Sequence, residues 1–239
     1  MGVEERRGAV WGKARRGAIA ALACALLVGG LGPRPMGQEE ESQRVIGEIR
    51  LPAAQKKGKV SLEEVLTRRR SVRDFSPQTL ELAQIGQLMW AAQGITDPAR
   101  GFRTAPSAGA TYPLEIYVVA PDGHFRYVPQ THRLERLSRT DLRSALGVVA
   151  GNQSCVRDGA VDVVIAAVLA RTSKKYGTRA VRYVHLEAGH AAQNILLQAT
   201  ALGLGGVSVG AFYDPQVKQL LGLPDDHDPL YILALGNPR

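Results

Sequence analysis

The stretch RTAPSAGATYP (residues 103–113), which runs directly into LEIYVVA (residues 114–120), carries the most information about the fold. Turn formers and small residues fill the first part and apolar residues the second, so the sequence predicts a loop that leads onto a buried strand. Small side chains allow a ligand to approach backbone amides closely, which makes the loop a candidate binding loop for a flat or anionic ligand. Proline, serine and glycine also form ordinary turns, so a plain connector is the alternative.

A second segment, TRRRSVRDF (residues 67–75), supplies donors for an anion. Guanidinium groups bind phosphate as a bidentate fork, and a serine hydroxyl adds a further donor. The candidate phosphate ligands are Arg69, Arg70, Ser71 and Arg73. A solvated basic helix end, which the helix dipole would also favour, is the alternative. Together the two segments indicate a phosphorylated planar cofactor.

A third segment, GGVSVGAF (residues 205–212), follows further along the chain. With these three motifs in this order and spacing, residues 61–238 resemble the FMN-dependent nitroreductase superfamily, and are most similar to its SagB-type dehydrogenase branch. The resemblance implies an α+β nitroreductase-like fold, with a central, mostly antiparallel sheet flanked by helices. It also implies a homodimer that buries FMN at the subunit interface, although the sequence pattern by itself indicates no oligomer.

The resemblance also implies roles for individual residues around the flavin. The loop beside the flavin ring corresponds to Pro106, Ser107, Ala108 and Gly109. Gly210 and Ala211 match the position where family members direct a backbone N–H at the flavin N5 and O4 edge, which would stabilise charge on the reduced ring. The glycine pair at the start of the third segment also fits a plain helix-to-strand turn.

Two further residues complete the predicted cofactor site. Asn194 lies in a run typical of the SagB-type branch, although a structural role on a helix of small residues explains it equally well. Arg239 belongs to the tail GNPR (residues 236–239), which resembles the tail where the family often adds a phosphate-facing cation.

The pair Lys175 and Tyr176 matches, by position, a Lys-Tyr pair that SagB-type azoline dehydrogenases use to remove a proton while hydride goes to FMN. A lysine or a tyrosine with a shifted pKa can act as a general base near neutral pH, so the assignment is chemically reasonable. The alternative is an exposed polar loop, because SKKYG (residues 173–177) is also an ordinary connector sequence.

Length and composition limit the class of protein. The chain has 239 residues, 45% of them apolar, so a single domain with a sizeable core is expected. The net charge is +8, half of it on residues 1–37, and no basic stretch contains the interleaved aromatics that stack on bases. We therefore expect no nucleic-acid partner. The two cysteines, Cys24 and Cys155, have no neighbouring His or Cys at metal-site spacing, so no metal is predicted.

The N-terminal residues 1–37 have the parts of an export signal: a basic region, the apolar run Ala18–Leu31 and a polar exit. The run is shorter than the ~20 residues of a membrane span, which favours a cleaved signal over a permanent membrane segment, and both stay open. The pair Arg15-Arg16 before the apolar run fits twin-arginine export, with ordinary export as the alternative. We predict an exported protein, periplasmic or anchored by this segment. Residues 38–60, charged and aperiodic, are predicted to be a linker or arm.

The remaining residues, 61–239, are predicted to form one domain of alternating helices and hairpin strands. Ser61 and Glu64 predict an N-terminal helix cap, and a second helix is predicted to start at Ser76–Thr79. The predicted helices span about 61–67, 76–94, 141–147, 178–202 and 214–222, and the predicted strands about 114–120, 124–128, 161–170 and 230–235. The pattern lacks regular βαβ spacing, so the fold class is α+β.

The export pattern and the family resemblance together imply an exported FMN oxidoreductase, similar to SagB-type dehydrogenases, that transfers hydride between the flavin and a small organic substrate. Two alternatives are open. One is a nitro or quinone reductase with NAD(P)H as electron donor, and the other is a flavin-binding protein without turnover.

Overall fold

Apolar β-branched runs form the middle of a seven-stranded antiparallel sheet in the computed structural model, which describes residues 44–239. The strands are β1 (Gly47–Arg50), β2 (Ile95–Asp97), β3 (Phe102–Arg103), β4 (Leu114–Ala120), β5 (Gly123–Val128), β6 (Arg133–Ser138), β7 (Val161–Ala167), β8 (Gly205–Val209) and β9 (Asp228–Gly236). The helices are α1 (Leu62–Arg68), α2 (Leu82–Gln93), α3 (Arg143–Val149), α4 (Ser154–Asp158), α5 (Leu169–Tyr176), α6 (Ala180–Ala201) and α7 (Asp214–Leu221).

The strand order in the sheet is β1-β6-β5-β4-β7-β9-β8, with β2 and β3 forming a separate hairpin. Strand β7 is buried along its whole length, because helices cover both faces of the sheet. Val163 and Ile165 face the core shared with α2 and α6, whereas Val164 and Ala166 face the core shared with α3, α4 and α7. The α+β class and the mostly antiparallel sheet flanked by helices are thus confirmed.

Local signals predicted several element boundaries. Ser61 caps α1, and its hydroxyl accepts a hydrogen bond from the Glu64 backbone N–H at 3.2 Å. The β4–β5 hairpin turns at residues 121–123, as predicted, and Gly94 and Gly222 end α2 and α7. The helix predicted over 178–202 is α6, 22 residues long.

The start of α2 and the end of β7 differ from the sequence prediction. Helix α2 does not start at Ser76–Thr79 but at Leu82, where Glu81 and Gln84 form a capping box. Residues 75–76 stay extended because Ser76 precedes a proline and its N–H donates to the Asn237 carbonyl at 2.8 Å. The strand predicted over 161–170 ends at Ala167, and helix α5 follows.

The predicted linker over residues 38–60 also contains secondary structure. Gly47–Arg50 form the edge strand β1, which pairs antiparallel with β6. Four residues are too few for alternation to be visible in the sequence, and pairing with a partner strand decides their conformation.

Residues 1–43 lie outside the described part of the chain, and with them the predicted signal segment, Cys24 and the start of the linker. Among residues 44–239, no helix is long and apolar enough to cross a membrane. The same residues contain no group of His, Cys, Asp and Glu that could hold a metal ion. Cys155 is a buried free thiol.

Candidate active site

The arginine segment (residues 69–73) lies along the edge strand β8. Ser71 forms a parallel bridge with Gly206, and the Val72 N–H donates to the Gly206 carbonyl at 3.0 Å. Glycine is required at position 205, since a Cβ there would lie 2.8 Å from the Val72 side chain. Residues 205 and 206, at the start of the third segment, therefore allow the arginine segment to pack against the sheet, in addition to forming a turn.

The arginine segment carries uncompensated positive charge. None of its three arginines has a carboxylate partner within residues 44–239, whereas the preceding Arg68 pairs with Glu64. Arg70 donates instead to the backbone carbonyls of Thr67 and Arg69, at 2.9 and 2.8 Å. Three guanidinium groups with a serine hydroxyl in one short segment match the donor set that binds phosphate.

Arg239 approaches the same segment from the end of the chain. Its backbone N–H donates to the Asp74 carbonyl at 3.3 Å, and its guanidinium lies 3.4 Å from the Asp74 carboxylate. The fold thus brings the predicted tail cation to the arginine segment. Asp74 compensates its charge, which the sequence pattern did not indicate.

The small-residue loop (residues 104–112) adopts a strained backbone. Gly109, Ala110 and Tyr112 have positive φ angles of 60°, 55° and 46°, a region that costs non-glycine residues free energy and that concentrates at functional sites. Hydrogen bonds hold the loop in this form. The Tyr112 N–H donates to Ser107 Oγ at 2.9 Å, and the hydroxyl groups of Thr111 and Thr172 are 2.8 Å apart.

The predicted catalytic pair lies directly against this loop. Lys175 and Tyr176 end helix α5, and Lys175 Nζ donates to the Gly109 carbonyl at 3.4 Å. A Cβ on Gly109 would lie 2.6 Å from both Lys175 Nζ and Tyr176 Oη. Glycine is therefore needed at this position for the pair as well as for the backbone. The Tyr176 ring also packs edge-to-face on Tyr183, with centroids 5.1 Å apart.

Gly210 and Ala211 are exposed and follow directly after β8. The Ala211 carbonyl accepts from Gln153 Nε2 at 3.1 Å, and the same nitrogen donates to the Ala150 carbonyl at 2.8 Å. This contact anchors the end of β8 to the α3–α4 connection. Four residues of strand separate Gly206 from Gly210, about 13 Å at ~3.3 Å per residue.

The predicted site residues form two groups and one strand end. One group is the arginine segment with Arg239. The other is the loop of Pro106, Ser107, Ala108 and Gly109 with Lys175, Tyr176 and Asn194, whose amide donates to the Thr104 carbonyl at 3.4 Å. In the described part of the chain, no hydrogen bond or ion pair joins the two groups.

The sequence analysis missed a buried polar cluster behind the loop. Glu187 on α6 is 2% exposed, and burial raises its pKa to about 7, against the opposing effects of Ser107, Arg103 and Gln93. Arg103 donates to the Gln93 side chain at 3.0 Å and stacks on the Tyr112 ring, 4.4 Å from its centroid. A glutamate on the apolar face of a helix of small residues is the signal that could have revealed the cluster, because unpaired glutamate is rarely buried.

A polar cavity of about 330 Å³ is lined by Arg103 and by the ion pairs Arg171–Glu115 and Arg126–Glu135, each at 2.6 Å, and contains none of the predicted site residues. An apolar one of about 300 Å³ lies near the start of α2 and contains none of the predicted site residues.

Comparison with known proteins assigns the chain to a family. Residues 66–237 match the Nitroreductase family. A candidate nitroreductase of Methanocaldococcus jannaschii is 43% identical over 195 residues, which cover 79% of this chain and 96% of that protein. A crystal structure of a candidate nitroreductase from Ralstonia eutropha has a TM-score of 0.73 at 30% identity, covering 89% of this chain and 97% of the other. The chain belongs to the nitroreductase family and is an oxidoreductase of that superfamily.

Two more distant relatives represent different functions. The structure of the NADPH:FMN oxidoreductase of Vibrio harveyi, solved with NAD+, has a TM-score of 0.56 at 25% identity. The aligned region covers 74% of this chain and 68% of that protein's chain. The microcin B17-processing protein McbC of Escherichia coli is 26% identical over 156 residues, 60% of this chain and 57% of that protein.

Proposed function

We propose that this protein is an FMN-dependent oxidoreductase and that the arginine segment holds the FMN phosphate. Its three arginines without carboxylate partners support this assignment. Ser71 pairs with Gly206, and the exposed backbone at Gly210 lies about 13 Å further along the strand. In this proposal, that backbone contacts the ring end of an extended FMN whose phosphate lies at the arginine segment. There the Gly210 and Ala211 amides would face the ring, because Gln153 already occupies the Ala211 carbonyl.

We further propose that Lys175 and Tyr176 are the general base of a dehydrogenase similar to the SagB type. The observation that carries this proposal is the contact of both side chains with Gly109, in the loop assigned to the flavin ring. Oxidation of a saturated carbon–heteroatom bond removes a hydride and a proton. FMN, when bound, supplies the hydride acceptor. To accept the proton, Lys175 must act as a neutral amine or Tyr176 as a phenolate.

The second candidate function is reduction of nitro or quinone compounds with NAD(P)H. The similarity to the NADPH:FMN oxidoreductase of Vibrio harveyi and to the candidate nitroreductase of Methanocaldococcus jannaschii favours it. The reaction requires no base on the donor side, because a nicotinamide donor loses only hydride. The relationship to McbC, a microcin-processing protein, favours the dehydrogenase instead.

A homodimer is part of the proposal. Among residues 44–239 no hydrogen bond or ion pair joins the two groups of site residues, and in this proposal a second copy completes the flavin site. Exposed apolar side chains on α1 and α6, among them Leu62, Leu66, Val181 and Leu186, provide surface for such an interface. Light scattering of the purified protein tests this claim, and a monomer that binds FMN fully would contradict it.

Export from the cytoplasm through residues 1–37 is also proposed, on the sequence pattern alone. Mass spectrometry of the protein recovered from its native envelope is expected to give an N-terminus between about Gly30 and Glu41, by the usual length of a signal. An intact Met1 on a cytoplasmic protein would exclude a cleaved signal.

The variants Lys175→Ala and Tyr176→Phe separate the two enzymatic functions. Loss of a positioned base typically costs 10²–10⁴-fold in rate. We expect both variants to keep their FMN. The rate at which NADH or NADPH reduces the flavin is expected to equal that of the unmodified protein. Anaerobic reduction of the flavin by a saturated heterocyclic substrate, found by screening, is expected to be lost.

Three results would contradict the dehydrogenase mechanism. Full heterocycle oxidation in both variants would make the pair structural. Fast reduction by NAD(P)H, with rapid reoxidation by quinone or nitro compounds and no oxidised heterocycle, would establish the reductase. A flavin that neither accepts nor gives electrons at a useful rate would indicate a binding protein.

A further inference from the structure

A carboxyl group that neither proposed reaction uses lies behind the small-residue loop. Glu187 is 2% exposed, and its Oε1 atom is buried without a hydrogen-bond partner. A carboxylate offers about four acceptor positions, so an ionised Glu187 is poorly satisfied in this environment. Burial without a full set of hydrogen-bond donors disfavours the ionised form of Glu187, so its carboxyl group is not simply one half of a buried ion pair.

Ser107 connects Glu187 to the backbone of the loop. The Ser107 hydroxyl interacts with the Glu187 carboxyl group, and its oxygen accepts from the Tyr112 N–H at 2.9 Å. Tyr112 has a φ angle of 46°, so a strained residue is held by a short chain that ends on the buried carboxyl group.

Arg103 links the same carboxyl group to the Tyr112 ring. Its Nη1 donates to Gln93 Oε1 at 3.0 Å, and its guanidinium stacks 4.4 Å above the Tyr112 ring. The Nε atom of Arg103 and the amide nitrogen of Gln93 are, like Glu187 Oε1, buried without partners. The polar cluster beneath the loop is therefore close-packed and incompletely hydrogen-bonded, a state sensitive to the gain or loss of one proton.

We infer that Glu187 is a positioning residue that controls the small-residue loop through its protonation state. The loop covers the carboxyl group. A neutral Glu187 tolerates this burial, whereas an ionised Glu187 favours an open loop in which water reaches it. Closure therefore holds Gly109 against Lys175 and Tyr176 when Glu187 carries a proton. The inference uses the proposed function only in taking the loop to contact the flavin.

The direction of the pH dependence follows from the surroundings. Burial raises the pKa of Glu187 by more than Ser107, Arg103 and Gln93 lower it. The resulting pKa is about 7. Glu115 on β4 and Arg171 on α5 act on Arg103 with opposite signs, and Lys175 and Tyr176 lie beyond Gly109. Because the closed form holds the proton more tightly than an open form would, the closed loop loses stability as the pH rises from about 4, the ordinary pKa of a glutamate, through about 7.

Hydrogen exchange of the unmodified protein tests the inference without any cofactor. Amides of residues 104–112, corrected for the intrinsic pH dependence of exchange, are expected to lose protection between pH 6 and 8.5. Helix α7, on the other face of the sheet, serves as the internal reference. Equal protection of the loop at both pH values would overturn the inference, whatever the protein does with FMN.

The variant Glu187→Gln tests the same claim through FMN binding. It is nearly isosteric and permanently neutral, so the loop is expected to stay closed at high pH. The FMN dissociation constant of each protein is measured by titration at pH 6 and pH 8. The ratio of the unmodified protein's constant to the variant's is expected to rise by about tenfold over this interval, the change that one coupled proton near pH 7 produces. Because both proteins experience the same phosphate titration, it cancels in the ratio.

Asp162→Asn is the matched control, because Asp162 is a buried carboxyl group on the opposite side of the sheet. The FMN dissociation constant of this variant is expected to change with pH as that of the unmodified protein does. An identical pH dependence in Glu187→Gln would overturn the inference. Absence of FMN binding at every pH would refute the proposed function instead, and the hydrogen-exchange result would still decide the role of Glu187.

Discussion

At the scale of single residues, the proposed site depends on how closely the loop approaches the proposed catalytic pair, Lys175 and Tyr176. Gly109 has a φ of 60°, and a Cβ there would come within 2.6 Å of both Lys175 Nζ and Tyr176 Oη. The two side-chain ends are flexible, so they can move aside without unfolding the protein. Gly109 therefore controls the placement of the pair much more than the stability of the fold.

We expect Gly109→Ala to lower the turnover rate by about tenfold or more, since misplacing catalytic groups by about 1 Å can cost up to ~100-fold. The strain of about 1 kcal/mol should lower the melting temperature by only about 2–4 °C. Gly222→Ala is the control, because Gly222 has a φ of 57° and open space around it. A control that lost as much activity as Gly109→Ala would show that backbone strain alone causes the effect.

At the scale of elements, the arginine segment depends on edge strand β8. The strand presents Gly205 and Gly206, and the segment pairs with it through Ser71 and Val72. This pairing holds the donors in one place before any ligand arrives, so less ordering entropy would be lost in the proposed binding of phosphate.

We expect the double variant Arg69→Ala/Ser71→Ala to bind FMN at least about tenfold more weakly, because hydrogen bonds to charged groups contribute about 1.5–3 kcal/mol each. Binding of riboflavin, which lacks the phosphate, should change little. Fluorescence titration with both ligands measures the difference. Arg68→Ala is the control, as this neighbour already pairs with Glu64. Equal weakening of both ligands would place the phosphate elsewhere.

At the scale of the whole molecule, a second buried carboxyl group affects the stability of the fold. Asp162 on β7 is fully buried, and neither of its carboxylate oxygens has a hydrogen-bond partner. Burial raises the pKa of Asp162 well above its usual range, against the lowering by Arg143 and with a further rise from Asp141. The folded protein thus holds this proton more tightly than the unfolded chain does.

Stability is therefore expected to fall as the pH rises above about 4, the usual pKa of an aspartate. Asp162→Asn removes this dependence and should increase the free energy of unfolding at pH 8 by about 1–3 kcal/mol, the cost of an unsatisfied buried group. Urea denaturation at pH 5 and pH 8 measures the effect, with Asp158→Asn, an exposed residue, as the control. A destabilised Asp162→Asn at both pH values would mean that the carboxyl group makes an essential contact.

The sequence by itself determined strands β4, β5, β7 and β9 of the sheet, the long helix and the positions of the main motifs. Buried strands such as β7 appear as apolar runs, and α6 as a stripe of small residues, because periodicity and local composition record which face is buried. The same local signals located the arginine segment and the small-residue loop, whereas the pair Lys175–Tyr176 was recognised by its resemblance to the SagB-type branch. Family resemblance then assigned their roles.

Tertiary structure alone decided which of these segments meet. Contacts such as Lys175 with Gly109, 66 residues apart, or Ser71 with Gly206, have no local signature because distant chain segments make them. The same holds for Glu187, whose burial depends on Arg103, Ser107 and Gln93 from two other parts of the chain. Strand β1 and the delayed start of α2 likewise follow from pairing with distant partners, which override the weak preferences of short segments.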